Sequence, residues 1–422
     1  MTKTTFRFIH AADLHLDSPL QGLELHEGAP VNLLRGATRR ALENLVNLTI
    51  EEDVDFLLIA GDIYDGDWKD YSTGLFFRSQ MVRLKDQGIP VYLISGNHDA
   101  ASVISKKLPL PENVHKFSTK KAESQEVLGV PAVIHGQGFP NRAVPENLAA
   151  EYPPALSGKF NIGLLHTSLN GMKGHDTYAP CSLQDLRAKG YDYWALGHIH
   201  QPEVLSTEPW IVFAGNVQGR HIRETGARGC QLVTVNERLQ VESAERRILD
   251  VVRWAVVEVD LAKVETESEA LQCIRASLKD QIERSEGRLA ATRVRLTGAT
   301  PLHGGLHKNS QHWRAQLRAL AQDFGEELLW IERMTIDTIP IYDVAQLAER
   351  DALTGSVLKS LEQASLARDK LHADILEMLD VLPPDVRSEV ERDFEDFQRD
   401  QIMGEVRAII LEALKTKGET TT

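Results

Sequence analysis

Residues 54–65 read Val54-Asp55-Phe56-Leu57-Leu58-Ile59-Ala60-Gly61-Asp62-Ile63-Tyr64-Asp65, an almost unbroken apolar run that ends in a glycine and two carboxylates. Such a run is typical of a strand buried in a parallel sheet. The first half of the chain repeats this arrangement, with further apolar runs at Phe6–Ala11, Val91–Ser95, Asn161–Leu165 and Tyr193–Leu196. The polar groups after them are Asp13-Leu14-His15, Gly96-Asn97-His98-Asp99, His166 and Gly197-His198-Ile199-His200. Because open α/β sheets build their sites at the carboxyl ends of strands, we expect these side chains to converge.

The composition indicates a globular protein of more than one domain. Its 422 residues exceed the size at which a single core stops growing, so we expect two or three domains. The net charge of −14, from 47 basic and 61 acidic residues, argues against a protein covered in basic surface for nucleic acid. The three cysteines stand in no ligand spacing, which favours a cytoplasmic protein over a disulfide scaffold. The sequence has no signal-peptide pattern and no apolar stretch of the roughly 20 residues that span a bilayer, so we expect no membrane association.

The order of predicted elements divides the chain near residues 250 and 340. In residues 1–250, apolar runs alternate with amphipathic stretches, which predicts an α/β (α+β) fold with a four-layer β-sandwich flanked by helices. Residues 251–340 predict a small α+β module, and residues 341–422 predict a helical segment interrupted by Pro383-Pro384. The predicted helices are Leu33–Glu51, Ser72–Gln87, Ser182–Lys189, Glu267–Arg284, Gln311–Phe324, Val357–Leu379 and Asp385–Leu414. The later predicted strands are Trp210–Ala214, Cys230–Val235, Leu239–Leu249, Arg253–Asp260, Arg288–Leu296 and Leu328–Ile336.

Charge is unevenly distributed over the last two segments. Residues 284–318 hold seven Lys or Arg and one Glu, which is compatible with a solvated face of a small domain or with a surface that binds a phosphate backbone. Residues 351–422 hold nine basic and sixteen acidic residues, a net charge of −7. Such a tail would repel DNA, and it fits either a helix pair that binds a protein partner or one that packs on its own core.

The side chains at the five strand ends are of the types that bind a pair of hard divalent ions. Asp13 and His15 lie two residues apart, so both can face the same point. Asp62 follows an apolar strand and a glycine, which makes it the natural carboxylate to bridge two ions. Asn97 offers a neutral carbonyl oxygen, and its neighbour His98 would face the substrate. The remaining predicted ligands are His166, His198 and His200.

The order Asp-x-His, Gly-Asp-x-x-Asp, Gly-Asn-His-Asp, His and Gly-His-x-His, within residues 6–216, resembles the calcineurin-like metallophosphoesterases. The resemblance implies two divalent ions, of which Mn²⁺ is expected from the family, while Mg²⁺, Fe²⁺ or Zn²⁺ suit the same ligands. The implied ligands of one ion are Asp13, His15, Asp62 and His200. Those of the other ion are Asp62, Asn97, His166 and His198. In the implied mechanism His98 stabilises the transition state or protonates the leaving oxygen, Asp99 orients His98, and Asp65 lies behind the ligands.

The loop after the last ligand motif gives an indication of the substrate. Residues 215–226 place Arg220, His221 and Arg223 near the predicted ions, where basic side chains would bind phosphates beside the scissile one. The alternative is a loop at a strand end that contains an Arg–Glu pair. Together with the opening His15-Leu16-Asp17-Ser18-Pro19-Leu20, this loop resembles the nuclease subunits of the SbcD/YhaO type.

That closer resemblance implies a Mn²⁺-dependent DNA exonuclease or endonuclease of DNA repair, whose middle module caps the active site and binds DNA. It also implies a partner, a coiled-coil ATPase subunit of the SMC type similar to SbcC or YhaN, bound through the C-terminal helices, and often a homodimer. Two other functions stay open. One is a phosphoesterase for small molecules or phosphoproteins, and the other is a non-catalytic, metal-bound scaffold for the ATPase.

Overall fold

The computed structural model describes residues 3–18, 29–65, 71–101, 109–169, 178–342, 354–361 and 406–412. The chain divides into two compact units. The first unit comprises Met1–Ala255 with Arg288–Ala291, and the second comprises Val256–Gly287 with Thr292–Thr422.

The first unit contains two mixed sheets of six strands each. The strands of the first sheet are β1 (Phe6–Ala11), β2 (Phe56–Ile59), β3 (Val91–Leu93), β4 (Val114–Lys116), β11 (Gly229–Val235) and β12 (Val241–Ile248). Those of the second sheet are β5 (Glu123–Glu126), β6 (Ala132–Gly136), β7 (Phe160–His166), β8 (Tyr193–Gly197), β9 (Glu203–Thr207) and β10 (Trp210–Phe213). The strand orders are β12-β11-β1-β2-β3-β4 and β5-β6-β7-β8-β10-β9. Neighbours are parallel from β1 to β4 and from β6 to β10, so these strands direct their carboxyl ends to the same edge of each sheet.

Four helices of the first unit are described: α1 (Val31–Glu51), α2 (Tyr71–Asp86), α3 (Asn97–Ala101) and α4 (Leu183–Ala188). The three longer ones confirm the predicted helices to within two residues at either end. Ser182 caps α4 as expected, since its hydroxyl accepts the amide of Asp185 while the Asp185 carboxylate accepts the amide of Ser182. Helix α3 was not predicted, because a motif with four polar or small residues carries no helical periodicity.

Apolar faces pack on both sides of each sheet. Between the sheets, the Phe8 ring stacks on Phe56 with centroids 5.0 Å apart and meets Tyr193 edge-on at 5.3 Å. Leu45 of α1 and Phe77 of α2 belong to a second core with the other face of the first sheet. A third core covers the outer face of the second sheet and includes Leu186 of α4. The predicted arrangement of two multi-strand sheets flanked by helices is therefore confirmed.

The second unit is built on a sheet of three strands in the order β13-β14-β15. The strands are β13 (Val252–Asp260), β14 (Leu289–Ala299) and β15 (Leu329–Ile339), and the helices are α5 (Glu267–Arg284), α6 (His303–Lys308) and α7 (Ser310–Phe324). Thr266 and Glu269 form a capping box, which explains why α5 begins where the sequence predicts it. Helix α6 was not predicted, because its two consecutive glycines are poor helix formers.

The basic block at residues 284–318 is largely ion-paired. The pairs are Arg284–Asp280, Arg288–Asp250, Arg293–Glu332 and Arg295 with both Glu258 and Asp337. All of these carboxylates lie outside the block, so a local count of charges overstates its positive potential. Lys308, Arg314 and Arg318 are exposed. Both interpretations of the block, a solvated face and a phosphate-binding surface, stay predictions.

The tail predicted to bind a partner is described at 354–361 and 406–412, which are helical, and the rest of Val357–Leu379 and Asp385–Leu414 lies outside the described residues. Leu358, Ala408 and Leu411 are buried. A Cβ atom at Gly304 in α6 would collide with the carboxylate of Glu412. This piece of the tail therefore packs within the second unit.

Two features bear on the remaining expectations from composition. No helix in the described ranges has the length and apolar character to cross a bilayer. Cys181, Cys230 and Cys273 carry free thiols, the first two of them buried.

Candidate metal centre

The predicted ligands lie where strands of the two sheets end. Asp13 and His15 follow β1, Asp62 follows β2, and Asn97 opens α3 just after β3. From the second sheet, His166 is the last residue of β7, and the motif with His198 and His200 follows β8. Parallel pairing of these strands thus gathers side chains that are up to 187 residues apart in sequence.

Several of these residues have a backbone conformation that L-amino acids rarely adopt. The φ angles are +52° at Asp13, +42° at His15, +52° at Asp62 and +98° at His198. Positive φ at a non-glycine residue costs on the order of 1–3 kcal/mol and persists where surrounding structure enforces it. Four of the seven predicted ligands therefore sit in strained backbone, as is common at functional sites.

Two glycines allow the strand ends to approach each other. A Cβ atom at Gly96 would lie 2.2 Å from Oδ1 of Asp62, and one at Gly197 would lie 2.0 Å from the carbonyl oxygen of Ala60. These distances are far below van der Waals contact, and the obstructing atoms include main chain. Glycine is thus required at both positions for the ligands to meet.

The ligand atoms form three overlapping clusters. In each cluster one nitrogen or oxygen atom from every side chain lies within 4.8 Å of the others. The clusters are Asp13–His15–His200, His15–Asp62–His98 and Asp13–Asp62–His166. Asn97 joins them, because its Oδ1 lies 2.9 Å from Nε2 of His166 and 3.3 Å from Nδ1 of His198. The structure therefore brings all seven predicted ligands together, and Asp13, His15 and Asp62 each belong to two of the three clusters.

The orientation of the imidazoles suits cations. His166 has Nδ1 2.9 Å from the carbonyl of Ala60, so that nitrogen carries the proton and Nε2 faces Asp62 and Asn97. His200 has Nδ1 2.6 Å from a carboxylate oxygen of Glu224, so its Nε2 faces His15. Two imidazole nitrogens 3.1 Å apart beside a buried carboxylate, Asp13, form a donor set that fits a hard divalent ion.

Buried charges of opposite sign face each other in the site. Burial by itself would raise the pKa of Asp62, but the charge and hydrogen bond of His166 outweigh it and lower that pKa. Burial opposes protonation of His166, yet the charge of Asp62 raises its pKa to about 9. Burial raises the pKa of Asp13. Perturbed groups of this kind, gathered at strand ends, mark a functional site.

The carboxylate that contacts His98 is Asp65. Its Oδ1 lies 2.8 Å from Nδ1 of His98. Asp99 instead accepts the amides of Ile63 and Tyr64 with Oδ1 and the amide of Gly96 with Oδ2. The structure thus places Asp65 against His98 and Asp99 against the loop after β2. The orienting role that the family resemblance implies for Asp99 stays a prediction.

The pKa of His98 reflects this contact. Burial lowers it, but the hydrogen bond that His98 donates to Asp65 and the charges of Asp62 and Asp65 outweigh burial, and the pKa is raised above that of free imidazole. More of this ring is therefore protonated at neutral pH than in an exposed histidine.

Of the three basic residues predicted to bind substrate, Arg220 is committed to carboxylates. Its guanidinium lies 3.3 Å from Oδ2 of Asp65 and 3.1 Å from Oε1 of Glu224, and the side chain is 13% exposed. His221 is 53% exposed, and Arg223 is exposed as well. The loop therefore contains the Arg–Glu pair of the alternative interpretation, and it also presents two basic side chains to solvent.

Glu224 is a site residue that the sequence prediction missed. It lies against His200, Asn216 and Arg220. The one available signal was the acidic residue four positions after Arg220 in a loop rich in basic residues. That signal indicates an ion pair, but not a contact with a predicted ligand.

Comparisons with known proteins found two family models and several similar proteins. The model of the calcineurin-like phosphoesterase family matches residues 6–202, and the model of the middle domain of metallophosphoesterase YhaO matches residues 254–339. A Bacillus subtilis protein described as the uncharacterized metallophosphoesterase YhaO is 34% identical over 387 residues, which cover 90% of this chain and 91% of that protein. The DNA double-strand break repair protein Mre11 of Methanopyrus kandleri is 26% identical over 218 residues, 46% of this chain and 45% of its own length. The crystal structure of a dimetal phosphatase from Danio rerio gives a TM-score of 0.36 at 13% identity, over 55% of this chain and 93% of that one.

Proposed function

The chain belongs to the calcineurin-like metallophosphoesterases of the YhaO family, and on that premise we propose that it is a two-metal phosphodiesterase that cleaves DNA. The observation that carries the proposal is the position of Oδ2 of Asp62, which lies 3.8 Å from Nε2 of His15 and 3.4 Å from Nε2 of His166, the predicted ligands of different ions. A shared carboxylate beside a histidine paired with Asp65 is an arrangement suited to phosphoryl transfer.

The predicted ligands would hold two divalent ions. Asp13, His15, Asp62 and His200 would bind one, and Asp62, Asn97, His166 and His198 would bind the other. Bound there, the ions would supply a nucleophile at neutral pH and neutralise charge on the phosphoryl oxygens. We propose Mn²⁺ as the native metal, and the oxygen and imidazole donors also suit Mg²⁺, Fe²⁺ or Zn²⁺.

His98 would act on the leaving oxygen. Asp65 holds its Nδ1, which leaves Nε2 to donate a proton or a hydrogen bond to the departing group. The raised pKa favours the protonated ring that such a role needs. General acid catalysis of this kind is typically worth on the order of 10²–10⁴-fold in rate.

DNA is the substrate we propose for two reasons. The first is the similarity to Mre11, whose name describes a protein of DNA double-strand break repair. The second is the set of exposed basic side chains, which comprises His221 and Arg223 in the loop after β10 and Lys308, Arg314 and Arg318 in the second unit. Contacts to phosphates by such residues position a strand without reading its sequence.

A second candidate is a phosphoesterase for small molecules or phosphoproteins. The ion pairs of Arg284, Arg293 and Arg295 favour it, because they leave the second unit with less free positive charge than its sequence indicates. A small substrate would need no extended basic surface.

A panel of substrates distinguishes these functions. Purified protein supplied with Mn²⁺ is incubated with linear duplex, hairpin and single-stranded DNA, and separately with bis(p-nitrophenyl) phosphate. A higher kcat/KM on DNA supports the nuclease, whereas turnover of the generic diester alone supports the second candidate. His98→Ala should abolish turnover while Mn²⁺ binding persists. If that variant keeps full function in the cell, the protein serves as a scaffold instead.

We further propose that the protein works with an SMC-type coiled-coil ATPase and forms a homodimer. The acidic tail, residues 351–422 with a net charge of −7, is the segment we assign to the ATPase because it would repel DNA. Co-expression with such an ATPase, followed by size-exclusion chromatography with and without residues 362–422, tests the contact. Co-elution that survives the truncation would contradict it.

A further inference from the structure

We propose that Glu224 is a positioning residue of the metal centre, which holds the ring of His200 so that Nε2 faces an ion. The inference rests on the proposed two-metal site. It adds a residue that belongs to none of the predicted ligand motifs and lies 24 positions beyond the last of them.

The carboxylate of Glu224 is buried and fixed on both oxygens. Oε1 lies 2.6 Å from Nδ1 of His200 and accepts from the guanidinium of Arg220 at 3.1 Å. Oε2 accepts from Nδ2 of Asn216 at 2.9 Å and from the amide of Arg220 at 2.7 Å. With four contacts, the carboxylate cannot rotate without breaking several of them. Glu224 is 5% exposed, so water is a poor substitute for these partners.

The contact between Glu224 and His200 determines which nitrogen of His200 is available to bind an ion. Donation from Nδ1 to Glu224 leaves the lone pair on Nε2, which lies 3.1 Å from Nε2 of His15 and in one cluster with Asp13. Without an acceptor at Nδ1, the proton could occupy either nitrogen and the ring could turn. Carboxylates behind metal-binding histidines commonly change metal affinity by 10–100-fold, about the size of effect expected here.

Glu224 is also connected with His98 through side chains of alternating charge. Arg220 lies between the carboxylates of Glu224 and Asp65, and Asp65 in turn contacts Nδ1 of His98. The path therefore runs from His200 to His98 through three charged residues. Arg220 serves this path by keeping two buried carboxylates beside each other, which explains why a basic side chain is buried here.

The loop that carries Glu224 is shaped around it. The amide of Arg220 binds the carboxylate four residues later, and the amide of Glu224 binds the carbonyl of His221 at 2.9 Å. A Cβ atom at Gly219 would lie 2.7 Å from the carbonyl oxygen of Glu224. The backbone thus folds back on itself at this point, and the carboxylate is delivered to His200 by local geometry.

Isothermal titration of Mn²⁺ into metal-free full-length protein tests the inference. Wild type should bind two ions, and Glu224→Gln should weaken one of them about 10–100-fold while the other changes less than about threefold. Glu52→Gln is the matched control, because Glu52 also pairs with two arginines, Arg7 and Arg247, away from the ligands. Its two affinities should equal those of wild type.

A second measurement does not need metal. Long-range ¹H–¹⁵N spectra of metal-free protein report the imidazole tautomer, with the His200 signal assigned from His200→Asn. Wild type should show the proton on Nδ1, and Glu224→Gln should show a mixture or the other tautomer. If Glu224→Gln unfolds at a temperature far below Glu52→Gln, Glu224→Asp replaces it, and its shorter side chain should still weaken one ion.

The outcomes separate the inference from the function on which it rests. Wild type that binds no Mn²⁺ pair contradicts the proposed function itself. Wild type with two sites that Glu224→Gln or Glu224→Asp leaves unchanged, together with an unchanged tautomer, contradicts the role of Glu224 alone. Selective loss of one site with a changed tautomer supports it.

Discussion

Nδ1 of His98 lies 2.8 Å from Oδ1 of Asp65, whose Oδ2 receives the hydroxyl of Ser18 at 2.5 Å. The carboxylate is thus held from a second side while it orients the ring. We expect Asp65→Asn to lower kcat on bis(p-nitrophenyl) phosphate about 10–100-fold and His98→Ala to lower it about 10²–10⁴-fold. If Asp65 acts through His98, the double variant will be no slower than His98→Ala. If steady-state kinetics show that the kcat loss in the double variant equals the product of the two single losses, Asp65 and His98 act independently.

The sequence predicted those parts of the fold whose signals are local. The strand at Phe56–Ile59 follows from its apolar run, and the start of α5 from its capping box. The short strands β4, β5, β6 and β9 were not predicted, because each contains polar residues and is three to five residues long. Their pairing is set by the neighbouring strands and not by their own composition.

The same difference between local and non-local signals applies to the residues of the candidate site. Ligands such as Asp62 and His166 were predictable because each directly follows or ends an apolar strand. The contact of Glu224 with His200 was not, since the two residues are 24 positions apart with strands β9 and β10 between them. The ion pair of Arg293 with Glu332 was hidden for a similar reason, because its members belong to different strands.

Removal of metal should destabilise the protein as well as inactivate it. An ion that binds only the folded state adds about 2.7 kcal/mol at a free concentration of 100 times Kd. We therefore expect the thermal midpoint to fall on treatment with EDTA and to recover with Mn²⁺. Asp62→Asn should lose this response, because Asp62 belongs to two clusters. His135→Gln, a buried histidine outside the clusters, should retain it. If the thermal midpoint of Asp62→Asn responds to EDTA and Mn²⁺ as that of wild type does, Asp62 is not a metal ligand.

Gly96→Ala should damage metal binding, since the added Cβ would lie 2.2 Å from Oδ1 of Asp62. Relief of that overlap must displace a predicted ligand, so we expect Mn²⁺ affinity to drop at least tenfold and stability to fall by about 1–3 kcal/mol. Gly36→Ala is the control, because no atom lies within 4 Å of its Cβ position in α1. That substitution should raise helix stability by up to about 1 kcal/mol and leave titration of Mn²⁺ unchanged. Equal Mn²⁺ affinity in both variants would contradict the close approach of Gly96 to the Asp62 carboxylate.

DNA binding, if it uses the second unit, should depend on its exposed basic residues. Replacement of Lys308 and Arg314 by Ala should reduce the slope of log affinity against log salt by up to about 2, measured by fluorescence anisotropy on a duplex. Arg293→Ala should instead lower the thermal midpoint, because it leaves the carboxylate of Glu332 without its bidentate partner. A salt slope unchanged in the double variant would place the DNA elsewhere.

His10 should make the stability of the protein fall as pH is lowered. Its ring is fully buried, with Nδ1 3.1 Å from the hydroxyl of Tyr193 and Nε2 3.2 Å from the carbonyl of Leu196. Burial lowers its pKa to about 3, from a value of about 6.5 in the unfolded chain. Between these values the unfolded state binds a proton that the folded state does not, so acid favours unfolding.

The contribution of His10 to the pH dependence of stability can be measured by comparing wild type with His10→Gln. The His10 contribution to the slope of unfolding free energy approaches about 1.4 kcal/mol per pH unit below the unfolded pKa. Urea titrations of metal-free protein between pH 7 and pH 4 should therefore show a shallower pH dependence for His10→Gln than for wild type. Parallel curves for wild type and His10→Gln would mean that the His10 ring accepts a proton in the folded state.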